Sequence, residues 1–366
     1  MNVVKATRKY EFWLAQRLQI VQPDLRLKHQ RMSQSVFAFF RATFYRWLVL
    51  WQEVDSDLRQ APRLLSVGDL HVENFGTWRD TDGRLIWGVN DFDEACIYPY
   101  TLDLVRLATS AILAARESRL SLKPRESADS IVDGYRRCLE AGGRPFVLAE
   151  DHAWLRAIAE SKLRDPVLFW RKMDRLPTLR GEIPESAREA LEHMLPERGI
   201  PYRLAHRIAG LGSLGRQRFV AIGEWKGGRI AREAKALAPS ASHWVDPKAP
   251  VEILYGAILR RAVRCPDPYV ELRGHWIVRR LSPYCSRIEL EALQNTRSEC
   301  RLLEAMGWET GNIHAGNEEK VKPILKDLRS RKANWLAKAA SAMADNVTRD
   351  WEVWRKQGSR QKRASS

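Results

Sequence analysis

Phe37, Phe40, Phe44, Trp47, Leu48 and Trp51 recur at intervals of three and four, the stripe of a helix packed on a core. An earlier helical face is lined by Tyr10, Trp13, Leu14, Leu18 and Val21, and Pro23 is expected to end it. Later, Tyr100 to Leu113 keeps helical periodicity behind Pro99. Helices are also expected from Pro124 to Ala141, from Leu148 to Lys162 and from Pro184 to Met194, broken by Gly142-Gly143, Pro166, Pro177 and Pro196. Between these helical runs, Arg84 to Val89 reads as a strand after a turn at Asp80-Thr81-Asp82-Gly83, which predicts one hairpin in a mainly helical region.

At Tyr202 the pattern changes. A strand-like segment leads to Gly210-Leu211-Gly212-Ser213-Leu214-Gly215, and a second β-rich segment, Phe219-Val220-Ala221-Ile222, follows. Another turn at Lys226-Gly227-Gly228 opens the run from Arg229 to Leu237. A helix containing Glu252 is expected from Pro247 to Arg264, then two strands joined at Arg273-Gly274, and then a helix from Ile288 to Met306. The domain reading is N-terminal helices over 1–60, a helical lobe over 61–200, a small β-rich lobe over 201–284, C-terminal helices over 285–357 and a loose basic tail over 358–366. The class is α+β.

Composition adds bounds rather than identity. The chain has 366 residues, room for two lobes, and its fourteen tryptophans suit a globular core. A formal charge of +16 favours anionic partners, with nucleotides ranked above nucleic acid. Five scattered cysteines without C-x-x-C spacing argue against a zinc site or a disulfide framework. No signal-peptide core or membrane-length apolar run is visible, so a reducing cytoplasm is the expected compartment and no membrane span is expected.

Candidate chemistry concentrates in Gly68-Asp69-Leu70-His71-Val72-Glu73-Asn74 and Asn90-Asp91-Phe92-Asp93-Glu94. Phosphoryl transfer needs a carboxylate to orient the attacking hydroxyl and oxygen ligands to hold magnesium against the phosphates. Asp69 and Asn74 keep the five-residue spacing of the base and metal-binding Asn in a kinase catalytic loop. Asp91-Phe92 opens like D-F-G, with Asp93 in the glycine's place. The expected roles are Asp69 as base, His71 as an orienting residue, and Asn74, Asp91 and Asp93 as magnesium ligands; Asp93 and Glu94 are alternatively contacts for a cationic acceptor. Asp103 either orders the catalytic loop or complements a helix N-terminus.

The G-x-G-x-x-G unit lies between β-rich segments, so a kinase phosphate-covering hairpin fits better than a dinucleotide fingerprint, which opens a helix. Gly210, Gly212, Ser213 and Gly215 are its candidate nucleotide contacts. Lys235 is the expected phosphate-touching lysine, with Arg232 the competitor if the strand register differs. Glu252 is expected either to pair with that lysine or to complement a helix dipole. His314 is expected to be structural rather than functional.

These elements run in kinase small-lobe order from Tyr202 onward, yet the catalytic loops precede them. A protein-kinase-like two-lobed fold in circularly permuted order accounts for both. The motifs G-D-L-H-V-E-N-F-G, N-D-F-D-E-A, G-L-G-S-L-G-R-Q-R-F and M-G-W-E-T-G-N-I-H together resemble the bacterial domain of unknown function 2252 family over roughly residues 30 to 345. That resemblance implies a relationship to protein kinases and aminoglycoside phosphotransferases and brings no substrate. G-D-L-H-x-x-N is similar to the H-G-D-L-H-x-x-N loop of small-molecule kinases, with Val67 in place of the first histidine. The resulting expectation is an ATP- and magnesium-dependent phosphotransferase acting on an unidentified hydroxyl. AMP transfer to protein, or a pseudokinase that binds nucleic acid or protein, are the alternatives.

Overall fold

The computed structural model describes residues 1–118, 120, 122–161, 165–283, 285 and 296–364. The chain opens with α1 (Val3–Ala15), α2 (Gln22–Met32), α3 (Val36–Ala42), α4 (Phe44–Trp51) and α5 (Ser56–Arg59). Pro23 does not end a helix here; it lies in the first turn of α2, where a missing N–H costs no helical bond. The aromatic stripe is divided between α3 and α4 at Thr43, whose backbone leaves helical geometry.

The hairpin expected around Asp80-Gly83 is present as β2 (Phe75–Arg79) and β3 (Leu85–Val89), preceded by β1 (Arg63–Ser66). Asp80 fixes its turn by accepting from the Asp82 and Arg84 backbone N–H groups. β1 pairs with β4 (Cys96–Pro99), and β3 also pairs with the short β5 (Phe146–Val147). Around these small sheets pack α6 (Thr101–Ser118), α7 (Pro124–Glu140) and α8 (Ala153–Ser161), whose apolar faces join one large core with α3 and α4. Pro166, expected as a break, starts α9 (Pro166–Asp174), and α10 (Glu185–His193) follows.

The β-rich region forms a five-stranded antiparallel sheet from β6 (Tyr202–His206), β7 (Arg218–Trp225), β8 (Gly228–Ala236), β9 (Val270–Arg273) and β10 (Trp276–Arg280), in the order β6-β7-β8-β10-β9. Between β8 and β9 lie α11 (Ala241–Val245) and α12 (Tyr255–Arg261). The expected helix over 247–264 is therefore confined to its second half, and Glu252 lies in the exposed loop ahead of it. Alternation along β8 sends Glu233 and Lys235 to one face and Arg232 and Ala234 to the other. On the first face, Val220, Ile222 and Ala231 pack with Phe169 and Met173 of α9 in a separate small core.

The chain ends with α13 (Thr296–Ala315), α14 (Glu318–Ser330) and α15 (Trp335–Ala364). Residues 288–295 of the helix expected from Ile288 lie outside the described residues. α15 continues to Ala364, through most of the stretch expected as a loose tail. Among the described residues no helix is long and apolar enough to cross a membrane, and no disulfide links any of the five cysteines.

Candidate active site

Asp69 stands at the end of β1's loop because Gly68 turns the chain there. Its φ is +81°, and a Cβ would sit 2.2 Å from the Glu94 carbonyl oxygen, so a side chain is excluded both by conformation and by space. The turn is held from behind by Asp103, whose carboxylate accepts from the backbone N–H groups of Val67 (2.7 Å) and Gly68 (2.9 Å). His314 Nε2 lies 3.0 Å from Asp103, and the Tyr135 hydroxyl meets its Nδ1 at 2.8 Å. Asp103 and His314 are both fully buried, so Asp103 orders the turn that carries Asp69 and His314 supports it from behind.

The next step of the loop is a short 3-10 helix, Val72–Asn74. His71 N–H donates to Asn74 Oδ1 (3.0 Å), and His71 Nδ1 accepts from Glu73 N–H (3.2 Å), a reciprocal cap that fixes both side chains. Asn90 N–H donates to the Asn74 carbonyl at 3.0 Å, tying the first acidic loop to the second.

In the second loop Asp91, Asp93 and Lys235 meet. Lys235 Nζ is 2.6 Å from Asp93 Oδ1 and 3.8 Å from Asp91 Oδ1. Burial pushes carboxylates up, but the Lys235 ammonium and the Arg279 guanidinium outweigh it at Asp91 and hold that carboxyl well below the usual range. Burial and the charge of Asp91 push Asp93 up. Glu94 is engaged elsewhere: it accepts from Arg216 Nη2 (3.0 Å) and from Ala241 N–H (2.7 Å). Asp69 itself pairs with Arg106 through Nε (2.8 Å) and Nη2; burial nonetheless raises its carboxyl above the ordinary value.

Strand register places Lys235, not Arg232, beside the second acidic loop. Arg232 points to the opposite face, donating to the Met194 carbonyl (2.7 Å) and stacking over Tyr269. The partners that Lys235 finds are the two aspartates, not the expected Glu252, because the residues before α12 are loop rather than helix.

The glycine loop between β6 and β7 has Gly210 and Gly215 in the left-handed region (φ +72° and +96°) and folds down over Asp69. Gly212 comes so close that an added Cβ would lie 3.1 Å from the Arg41 carbonyl and 3.7 Å from Asp69 Oδ2. Ser213 Oγ accepts from Arg218 Nη2 at 2.8 Å, which anchors the loop to the sheet.

Two cavities meet at Asn90 and Asp91. The larger, about 730 Å³, lies under the five-stranded sheet and is lined by Tyr255, Leu259, Arg264, Leu272, Arg279 and Arg207 among others. The smaller, about 60 Å³, holds Asp69, His71, Asn74, Asp93, Gly212 and Ser213. The glycine loop thus closes the small cavity, and Arg207 at its start also reaches the large one.

Among the described residues no group of three His, Cys, Asp or Glu side chains is placed to hold a metal ion. Oxygen donors are nonetheless present. Asp91 is kept anionic with 38% of its side chain exposed, and Asn74 Oδ1 retains a lone pair. One carboxylate, one amide and the oxygens of a bound phosphate suit magnesium, which seldom has an all-protein cage. Asp93, expected as a third ligand, has an oxygen committed to Lys235.

Several groups here were not singled out from the sequence. Arg106 lies one helical turn after Asp103, and that i,i+3 spacing is the signal that would have placed it beside the same loop. Glu233 is fully buried among Arg207 (2.5 Å), Arg218 (2.8 Å) and Arg279 (2.9 Å), which hold its carboxyl far below normal despite burial. The direct Glu233–Arg279 pairing across β8 and β10 is visible only once register is known. Nothing in the polar sequence of α2 marks Lys28, which lines the small cavity.

Residues 20–165 match the model of a family described as "Uncharacterized protein conserved in bacteria (DUF2252)". No curated protein and no solved structure matches the chain. The matched span carries both acidic loops and Asp103, and it ends before the five-stranded sheet that brings Lys235.

Proposed function

We propose that this protein is an ATP-dependent phosphotransferase of kinase-like, circularly permuted fold, with the nucleotide in the larger cavity and transfer at the junction of the two cavities. The observation that carries the reading is the meeting of Lys235 with Asp91 and Asp93, across about 140 residues of chain, on the wall shared with Asp69 and Asn74. A kinase needs that set of groups, and here they come from the loops and the third strand of the glycine-loop sheet where such a fold carries them. The larger cavity has a volume suited to a nucleotide, apolar walls at Leu259 and Leu272 for a base, and Arg207 and Arg279 for phosphates.

In this reading Asp91 and Asn74 hold magnesium, which when bound neutralises charge on the phosphate oxygens. Lys235 orients Asp91 and the phosphates. Asp69, fixed by Gly68, Asp103 and Arg106, receives the acceptor hydroxyl and takes its proton; its raised carboxyl affinity for a proton suits that task.

Labelled ATP tests the reaction. The γ-label is expected to leave the nucleotide, by transfer or to water, while the α-label stays in ADP. Asp69→Asn is expected to lower that rate by about 10²–10⁴-fold, the usual contribution of a general base, with ATP affinity retained. Retention of α-label on protein would favour AMP transfer, and release of neither label would overturn catalysis.

A further inference from the structure

The small cavity is lined by two cations, Lys28 and Arg216, that keep donor capacity beyond the protein groups they meet. Lys28, on α2, is 6% exposed and donates to the Gly212 carbonyl at 2.7 Å. An ammonium has three N–H bonds, and among the described residues no carboxylate pairs with this one within 4.0 Å. Arg216 sends Nη2 to Glu94, but its Nη1 is buried with no hydrogen-bond partner and lies 3.9 Å from Asp93 Oδ2. A buried charged donor left unused has lost its water without gaining a partner, which is costly.

Four of the five carboxylates lining the same cavity are already paired, and the fifth, Asp91, lies 3.8 Å from Lys235. Asp69 pairs with Arg106, Glu73 with Arg41, Asp93 with Lys235 and Glu94 with Arg216. Lys28 is held in place rather than free to swing away: Val21 N–H donates to the Gly215 carbonyl (2.8 Å), Leu25 packs on Gly215, and Asp24 pairs with His206 (2.9 Å). α2 and the glycine loop therefore form one rigid wall. At about 10–15 Å³ per water-sized site, a cavity of about 60 Å³ has room for about four or five oxygens, the size of one tetrahedral oxyanion.

We infer that Lys28 and Arg216 receive the phosphoryl group in transit, binding one phosphate-sized oxyanion beneath the glycine loop beside Asp69. This rests on the phosphotransferase reading and adds to it a ligand from the N-terminal helices, outside the loops and strand that supply the other groups. Burial and the nearby Arg216 push the Lys28 ammonium down to about 8, consistent with a cation lacking a protein counter-ion.

The probe is inorganic phosphate, titrated calorimetrically into the full chain with magnesium present and chloride as the background anion. Phosphate is expected to bind with ADP bound and to be displaced by ATP, because ATP brings its own terminal phosphoryl group to the same place. Lys28→Met is expected to weaken phosphate at least about tenfold, the loss of one charge-assisted hydrogen bond, and Lys28→Arg to restore part of it. Simultaneous binding of ATP and phosphate would assign the oxyanion to the acceptor instead and overturn the transit role. Should Lys28→Met fail to fold, acetylation of wild-type Lys28, read by peptide mass spectrometry against exposed Lys5, decides: phosphate must slow it. Phosphate that neither binds nor protects Lys28 while magnesium-ATP still binds would sink this inference alone; loss of ATP binding would remove the underlying reading.

Discussion

Beneath the second acidic loop, Glu309 occupies space that only a glycine at position 88 leaves open: a Cβ there would lie 2.2 Å from Glu309 Oε1. The carboxylate accepts from Val89 N–H (3.2 Å) and Asn312 Nδ2 (2.8 Å), so it supports the strand end that delivers Asn90 and Asp91. Burial, opposed by Arg264 and these two donors, pushes its carboxyl up to about 7 from 4.5. Between those values the folded chain holds a proton that the unfolded chain has released. Stability should therefore fall as pH rises from 4.5 to 7, by at most about 3 kcal/mol from this group, and level off above. Urea unfolding at pH 5 and pH 8 should show that difference in the wild type and much less of it in Glu309→Gln; equal differences would exclude Glu309 as the source. Residue roles of this kind were partly legible in the sequence. The spacing of Asp69, Asn74 and Asp91 brought attention to residues that line one cavity, and of the two readings of Asp103 the structure shows the hydrogen bonds to the Val67 and Gly68 backbone. Glu309 was not legible, because a carboxylate inside a helix shows its burial only after the helix is packed.

Among the elements, the α7–α13 pair carries the support for the turn before Asp69, since Tyr135 and His314 come from its two halves. The helices approach closely at glycines: a Cβ on Gly307 would sit 2.1 Å from the Ile131 carbonyl, and one on Gly134 would sit 1.9 Å from the Glu304 carbonyl. Backbone cannot yield as a side chain can. Gly307→Ala should therefore cost about 1–3 kcal/mol or more, read as a lowered Tm, and should loosen the hold of His314 on Asp103. An unchanged Tm would contradict the packing. The β2–β3 hairpin was legible because D-T-D-G is a turn with a mechanism, and the sheet from Tyr202 because its glycines punctuate β-rich runs. Pro23 and Pro166 were misread as stops: from sequence alone, the same residue ends one helix or begins the next. Glu252 fell outside α12 because helical spacing continued into residues that the fold uses as a connection.

At the scale of the whole molecule, two acidic loops near residues 70 and 90 and a sheet built from residues 202–280 enclose one pair of cavities. They are far apart in linear order, and the proposed kinase-like reading depends on disregarding that order. Arg106, Arg216 and Arg218 are buried against carboxylates around the site, and because each such pair withdraws one charge of either sign, the formal excess of +16 is carried by the rest of the chain. Arg207 and Arg279 line the larger cavity, each paired with Glu233. The most direct measurement is calorimetric titration of ATP into the wild type, Asp91→Ala and Lys235→Ala, each with and without magnesium. The account predicts binding that requires magnesium and weakens by about tenfold or more in both variants, as expected for the loss of a charged phosphate or metal contact. Absence of ATP binding in the folded wild type, or equal magnesium-independent binding in all three proteins, would contradict it.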